Sequence, residues 1–475
     1  MAVELPSELF FNRERELAQL QTAWEAEDGR PQLVTLWGRR RVGKSALLSH
    51  FSGDKATIYL YGTRVAERDI LAGFAAHAAD LLDDPYLRVA PFPDWPAALQ
   101  YLERAAASGR RLLLMFDEFP YLCEVTPGLD TLVQAWWDRV HEQSGASFML
   151  VLAGSAFSFM QGLTGATGPL HGRRTAQVEV RPFDYSDAAS FFPHLQADDR
   201  IRAYACFGGI PAYLRHWESE RHLDEMVQAT FLSPGHFLFR EAEELLRTEF
   251  HQEAMYASIL RAVASGQERP SDIARALGRG GVNEILDHLR RLQELQFLRR
   301  EVPVTEWERV RSQHVLYRLA DPYLRFWFHY IAPNQSLIQL GRGTHVWERD
   351  VAPHLDEFVA RTTWEEVCRQ FLWRRLAGGD LPATFAQLGR WWDGKDEIDL
   401  VGLEHGRATL VGECKWSNAQ VDERVFADLQ HKARALSLAE RPLWVLASRS
   451  GFDAVLRQRA QHGDLMLLTP DDLFA

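Results

Sequence analysis

The chain has 475 residues, too many for one compact core, and its length corresponds to about three domains. Its 46% hydrophobic and 25% charged content is that of a soluble globular protein, and a net charge of −12 excludes a broadly basic nucleic-acid-coating protein but not a local basic surface. Four scattered cysteines, Cys123, Cys206, Cys368 and Cys414, form no C-x-x-C pair, so neither a disulfide framework nor a zinc ribbon is indicated and a reducing cytoplasm is expected. The start, Met1-Ala-Val-Glu-Leu-Pro-Ser-Glu, has no basic segment leading into an apolar one, and no apolar run approaches membrane-spanning length. A soluble, unprocessed chain that does not engage a membrane is the expectation.

The apolar run Leu33 to Trp37 leads directly into Gly38-Arg39-Arg40-Arg41-Val42-Gly43-Lys44-Ser45, the G-x-x-x-x-G-K-[ST] spacing of a phosphate-binding loop between a strand and a helix. The two glycines let successive backbone N–H groups point at phosphates, and the helix continuing through Ala46 to Phe51 adds the partial positive charge of its N-terminus. Lys44 is placed to reach the β- and γ-phosphates and Ser45 to hold Mg²⁺, so the expected ligand is a nucleoside triphosphate, ATP. Thr57 to Tyr61 reads as a strand, and alternating strands and helices imply a parallel sheet. A further apolar run, Arg111 to Phe116, ends in Asp117-Glu118, at the carboxyl rim where α/β sheets bind ligands. Asp117 suits the Mg²⁺ shell and Glu118 a general base toward water. The strand Phe148 to Ala153 ends in Gly154-Ser155, where Ser155 can sense the γ-phosphate or serve as a plain turn serine.

These motifs, together with Phe10-Phe11-Asn12-Arg13-Glu14-Arg15-Glu16-Leu17, Leu170-His171-Gly172-Arg173-Arg174-Thr175 and Gly208-Gly209-Ile210-Pro211, resemble in residue type and order the archaeal-type ATPases, signal-transducing P-loop proteins with an additional catalytic glutamate. The resemblance implies that the stretch around Arg13 lies by the nucleotide base, that Pro211 packs near the nucleotide, and that Arg173 or Arg174 stabilises charge, reaching a neighbouring subunit if the chain forms a homo-oligomer.

From Arg240 the composition favours helices. Helices are expected over Ala254 to Ala264, from Pro270 with Ser271 as the capping serine, and from Val282 through Leu298, followed by a β-wing running from Val302-Pro303-Val304 to Val315–Leu319. This is the length pattern of a winged helix-turn-helix, in which Arg275, Arg279, Arg290 and Arg291 would meet DNA phosphates. Residues 251–320 hold eleven basic and nine acidic residues, so the segment is basic only relative to the whole chain. The aromatic stretch Asp321 to Ile331 fits base stacking or, better, packing at a domain junction.

Near the C-terminus, Glu397-Ile398-Asp399-Leu400-Val401 and Ala408 to Trp416 read as two strands of a hairpin. Alternation puts Glu413 and Lys415 on one face and Cys414 on the other, with Asp399 able to meet the pair. Two carboxylates converging beside a lysine suit phosphodiester hydrolysis: Asp399 and Glu413 holding Mg²⁺ or Mn²⁺, Lys415 orienting water or stabilising the phosphorane. The I-D and E-x-K spacing resembles the restriction-endonuclease-like nucleases. That resemblance assigns a helical glutamate, Glu365 rather than Glu366, from the helix Asp356 to Leu372. A helix over Val421 to Leu438 and a strand over Pro442 to Ala447 would complete an α/β/α layer.

The expected fold is therefore an α/β multidomain protein: a parallel-sheet P-loop ATPase domain over residues 1–220, a helical and winged-helix middle over 221–320, and a restriction-endonuclease-like α/β domain over 321–475. The expected function is ATP hydrolysis coupled to a metal-dependent nuclease acting on DNA. The alternatives are an ATP-operated switch or scaffold with an idle nuclease fold, and a winged-helix DNA-binding regulator.

Overall fold

The computed structural model describes residues 10–26, 30–107, 109–143, 146–250, 253–309 and 312–475, so the N-terminal octapeptide read above lies outside the described residues. The chain divides into two compact units, one ending at Pro182 and the other spanning Phe183–Ala475. Among the described residues no helix is long and apolar enough to cross a membrane.

The first unit is built on strands β1 (Gln32–Trp37), β2 (Thr57–Tyr61), β3 (Leu112–Asp117), β4 (Phe148–Gly154) and β5 (Ala176–Glu179). They form one sheet in the order β2-β3-β4-β1-β5, with every pairing parallel. Each residue of β1, β3 and β4 is buried, which explains their unbroken apolar runs: a parallel sheet covered on both faces leaves no side for polar residues. Phe74, Trp95, Phe116, Trp136 and Phe148 belong to the core cluster of this unit. Because Trp37 of β1 pairs with Gly154 of β4, and Phe116 of β3 with Leu152 of β4, the carboxyl ends of three strands finish side by side. The phosphate-loop sequence, Asp117-Glu118 and Ser155 thus leave the sheet at one edge.

The second unit begins with helices. Glu253–Ala264, Pro270–Ala276 and Leu286–Glu294 precede an antiparallel hairpin of β6 (Leu298–Glu301) and β7 (Leu316–Leu319). Three sequence expectations are corrected here. Ser271 does not cap its helix: Pro270 takes the first helical position, so Arg269 becomes the N-cap and contributes no side-chain bond. The third helix stops at Glu294 rather than Leu298, because Gln296 adopts a left-handed φ of 59° and the chain then enters the ladder. The wing consequently starts at Leu298, while Val304–Glu306 forms a 3₁₀ turn. The aromatic stretch is core: Tyr323, Phe326, Trp327, Phe328 and Tyr330 are all at most 5% exposed, and the Tyr323 hydroxyl donates to Leu238 O at 2.9 Å. None of these rings is available to stack on a base.

A five-stranded mixed sheet follows, made of β8 (Gln387–Trp392), β9 (Glu397–Glu404), β10 (Arg407–Lys415), β11 (Leu438–Ser448) and β12 (Leu465–Leu468). Its order is β12-β11-β10-β9-β8, antiparallel from β8 to β10 and parallel from β10 to β12. The predicted hairpin is the β9–β10 pair, and Trp391-Trp392 closes the strand β8 that precedes it. The helix predicted over Asp356 to Leu372 is two, Leu355–Thr362 and Trp364–Gly378, broken at Thr363. Helix Glu423–Lys432 is shorter than predicted because β11 already begins at Leu438.

Candidate functional site

At the edge of the first sheet, the backbone geometry is that of a wrapped loop. Gly43 has a φ of 95°, and Arg41 is held at 70° despite its Cβ. Gly38 is required for a different reason: a Cβ there would meet Val180 O at 2.2 Å. Lys44, buried at the head of helix Lys44–Ser52, donates to Gly38 O at 3.1 Å and lies 3.4 Å from Arg39 O, so its ammonium closes the loop on itself. Arg39 and Val42 are buried as well, Arg40 and Ala46 are half-buried, and Ser45 is exposed. Arg13 braces the loop from outside, donating to Val42 O at 2.9 Å and to Arg181 O at 2.7 Å. We expect Gly38→Ala to weaken ATP binding about 5- to 150-fold, since forcing atoms into a packed site costs about 1–3 kcal/mol. Isothermal titration of variant against wild type measures this.

The acidic end of β3 faces this loop. Asp117, with no exposed surface, accepts from Ser45 Oγ at 2.5 Å and from the Tyr59 hydroxyl at 2.6 Å, both on Oδ2, while its Oδ1 accepts from Glu118 N at 2.9 Å. Burial, with the Asp117 charge behind it, drives the Tyr59 phenol well above its usual range, so it remains a donor. Tyr59 was not singled out from sequence; it shares a face of β2 with Tyr61, but only the strand order reveals that β2 borders the Asp117 strand. Glu118 sits in the left-handed region at φ 52° and accepts from Ser155 Oγ at 2.9 Å. A Ser hydroxyl bridged to a buried aspartate beneath a phosphate-shaped loop fits Mg²⁺ bound with a nucleotide: both oxygens are hard donors already directed at one point.

In the second unit, Glu365, Asp399, Glu413 and Lys415 line one cavity of about 610 Å³. Asp399 and Glu413 are only 8% and 5% exposed. Cys414 N donates to Asp399 Oδ2 at 2.8 Å, fixing the carboxylate between the two hairpin strands, and Lys415 Nζ reaches Glu413 Oε1 at 2.5 Å. Between them on β10, Cys414 is buried, and burial raises its thiol well above the usual range. Burial, then the fields of Glu365 and Glu413, push Asp399 up to about 7. Burial works against the charge on Lys415, yet Glu413 carries its ammonium above the ordinary range. Lys432, from helix Glu423–Lys432, adds a second ammonium 3.6 Å from the same Glu413 oxygen. Sequence reading missed it, because its helix begins eight residues beyond Lys415 and no spacing rule ties the two.

A divalent ion suits part of this set. Glu413 Oε2 is buried without a hydrogen-bond partner, and Asp399 is strained by neighbouring negative charge that a cation would relieve. Among the described residues no three His, Cys, Asp or Glu side chains are grouped closely enough to hold an ion between them. Glu365 instead lies 3.1 Å from Arg390 Nε on β8, leaving Asp399 and Glu413 as the carboxylate pair, the number Mg²⁺ commonly takes beside waters and substrate oxygens.

Glu366 has a separate task. It accepts from Arg299 and Arg325 at 2.7 Å each, tying β6 and the aromatic helix to helix Trp364–Gly378. Burial opposes its ionisation, but Arg299, Arg325 and Arg369 hold it down at about 2. A carboxylate depressed on folding stabilises fully above its ordinary value of 4.5 and loses that contribution as pH falls toward 2. Glu366→Gln should therefore cost about 3–5 kcal/mol at neutral pH by stranding buried arginines. The cost should shrink as pH falls from about 4.5 toward 2, because the unfolded wild type takes up its proton at the top of that window and the folded wild type only at the bottom. Urea denaturation across this pH range tests both statements.

The remaining predicted residues are placed as follows. Arg173 makes a two-point ion pair with Asp138, its second bond 2.9 Å long, and donates to Pro169 O and His171 O. Pro211 opens a short helix, Pro211–Leu214, in the second unit. Arg275, Arg279, Arg290 and Arg291 each lie within 4 Å of a nearby carboxylate, those of Asp272, Glu284, Asp287 and Glu294.

The parallel sheet with its loop defines a P-loop ATPase-like α/β unit, and the chain carries a distinct mixed sheet toward its C-terminus. Residues 10–216 match a family described as an ATPase domain predominantly from Archaea, and residues 327–426 match one described as archaeal and bacterial proteins of unknown function. An uncharacterized protein of Methanocaldococcus jannaschii is 26% identical over 439 residues, covering 90% of this chain and 93% of that one. Among solved structures, a Walker-type ATPase of Pyrococcus abyssi is 22% identical with a TM-score of 0.51, over 69% of this chain and 99% of its own, a likeness of fold. The Aeropyrum pernix ORC2 protein, solved with ADPNP and ADP, is 14% identical with a TM-score of 0.42, over 72% of this chain and 96% of that one.

Proposed function

We propose that this chain hydrolyses ATP in its first unit and cuts a DNA phosphodiester bond in its second, with nucleotide state governing the cut. In the first unit the backbone from Gly38 to Lys44 and the Lys44 ammonium would hold the phosphates, while Ser45 and Asp117 would hold Mg²⁺, which would offset their charge. Glu118 accepts the proton of the attacking water, and Ser155, now its partner, reports whether that carboxylate is engaged. Arg173 would leave Asp138 to reach a nucleotide held by a second copy of the chain. The family match over residues 10–216 supports ATP turnover.

The observation that carries the second half is the gathering of Asp399, Glu413 and Lys415 on one cavity from two adjacent strands. Asp399 and Glu413 would hold Mg²⁺ or Mn²⁺, which supplies Lewis acidity to the phosphate and acidifies a bound water. Lys415, kept protonated by Glu413, donates toward the non-bridging phosphate oxygens as charge builds there. The mixed strand order and the helix bearing Glu365 support a restriction-endonuclease-like fold. The segment carrying Arg275, Arg279, Arg290 and Arg291 is nearly balanced in charge, with eleven basic and nine acidic residues over 251–320, which argues against a regulator that works by the winged helix alone. Incubating the purified chain with linear and single-stranded DNA in Mn²⁺ tests this reading: cutting that requires Asp399 supports it, and intact DNA under every condition refutes it.

A further inference from the structure

The carboxylates of the second unit are recessed. Asp399 and Glu413 are almost wholly buried, and the cavity above them, about 610 Å³, is the size of a pocket for one small molecule. Its walls include Glu268, Arg299, Arg318 and Leu319 from the β6–β7 hairpin and its approach, so the hairpin borders the space through which a phosphate must pass. A single nucleotide unit fits that volume, whereas an intact duplex holds each phosphate on a rigid double helix that cannot follow it into a recess.

The lining also suits one strand. Arg361 is exposed on the rim and has no carboxylate partner among the described residues. Arg299 Nε is buried without a hydrogen-bond partner, and Lys415 and Lys432 stand by Glu413 at the floor. Beside Arg361 the half-buried His329 ring packs against the buried Phe358 at 5.4 Å, so recognition at this rim falls on the phosphate and not on a stacked base. From this arrangement we infer that the acidic cavity takes a single DNA strand, or a frayed end, with Arg361 binding its phosphate at the rim, and that it excludes closed duplex. The inference rests on the phosphodiesterase reading above and adds the substrate class.

The test uses the full chain in Ca²⁺, with fluorescein-labelled dT12 and a 12-base-pair duplex closed at both ends by hairpin loops, followed by fluorescence anisotropy. Binding of dT12 should be at least about tenfold tighter than that of the closed duplex, and Arg361→Ala should weaken it about tenfold and lower the salt slope by about one, with Arg361→Lys restoring most of the loss. Equal affinity for the closed duplex, or dT12 affinity indifferent to Arg361, would overturn the inference. The two levels separate in a parallel Mn²⁺ assay. Cutting of closed duplex that Asp399→Ala removes would sink the single-strand inference while upholding the phosphodiesterase. Arg361-dependent dT12 binding with no cutting of any DNA would uphold strand recognition and remove the catalytic reading.

Discussion

Lys44→Ala is expected to abolish ATP turnover, lowering kcat/KM at least about 10³-fold, because it removes the ammonium that the loop places toward the β- and γ-phosphates, where charge builds in the transition state. The folded loop should survive, since Gly38, Gly43 and the Arg13 brace set its backbone. A companion change separates binding from chemistry. Glu118→Gln keeps the shape and one acceptor oxygen for Ser155, so nucleotide affinity should stay within a few-fold of wild type while kcat falls about 10²–10⁴-fold. Phosphate release and titration of a fluorescent ATP analogue read the two quantities; loss of affinity equal to the loss of kcat in Glu118→Gln would mean that the residue holds nucleotide and is not a base.

The second large effect is expected at the other site. Asp399→Ala and Lys415→Ala should each reduce Mn²⁺-dependent cutting by at least about 10²-fold, for different reasons. Removing Asp399 takes away one of two metal-facing carboxylates, so Mn²⁺ binding itself, followed by electron paramagnetic resonance, should weaken. Removing Lys415 leaves Glu413 with Lys432 as its remaining cation, so Mn²⁺ should still bind while turnover is lost. Asp399→Asn carries a further signature: without a carboxylate pushed up toward neutrality by burial and by Glu365 and Glu413, the metal-free protein should be more stable than wild type above pH about 7. The sign follows from a raised carboxylate, whose folded-state penalty grows as pH rises through its folded value. A wild-type stability curve that matches Asp399→Asn from pH 5 to 8 would contradict that environment.

Much of this was readable in the sequence where local pattern and chemistry coincide. The phosphate loop is legible because its glycines, lysine and serine answer to backbone geometry over eight residues, and β3 because a buried strand must end before its carboxylates emerge. The E-x-K strand is legible because alternation alone puts Glu413 and Lys415 on one face. What failed was whatever depends on distant neighbours. Ser271 looked like a cap until Pro270 took the first turn, and the third helix looked longer because Leu295 and Leu298 continue its apolar spacing, although Phe297 and Leu298 are buried beside a strand ladder. Tyr59, Arg390 and Lys432 escaped notice because their roles arise from strand order and helix packing across the sheet, which no spacing along the chain encodes. Of the two helical glutamates, Glu366 is enclosed by arginines, whereas Glu365 lines the cavity and lies beside Arg390, a pairing that no spacing along the chain announces.

The claim at the centre is that nucleotide state governs cutting on the same chain. The measurement is the initial rate of Mn²⁺-dependent cleavage of single-stranded DNA by the Glu118→Gln chain, which is expected to hold ATP unhydrolysed, with and without saturating ATP. The account predicts at least about a fivefold change in rate on adding ATP, the lower end of ordinary coupling between sites, and no such change when Lys44→Ala is added to the same chain. A rate indifferent to ATP in the Glu118→Gln chain, with cleavage still dependent on Asp399, would contradict it.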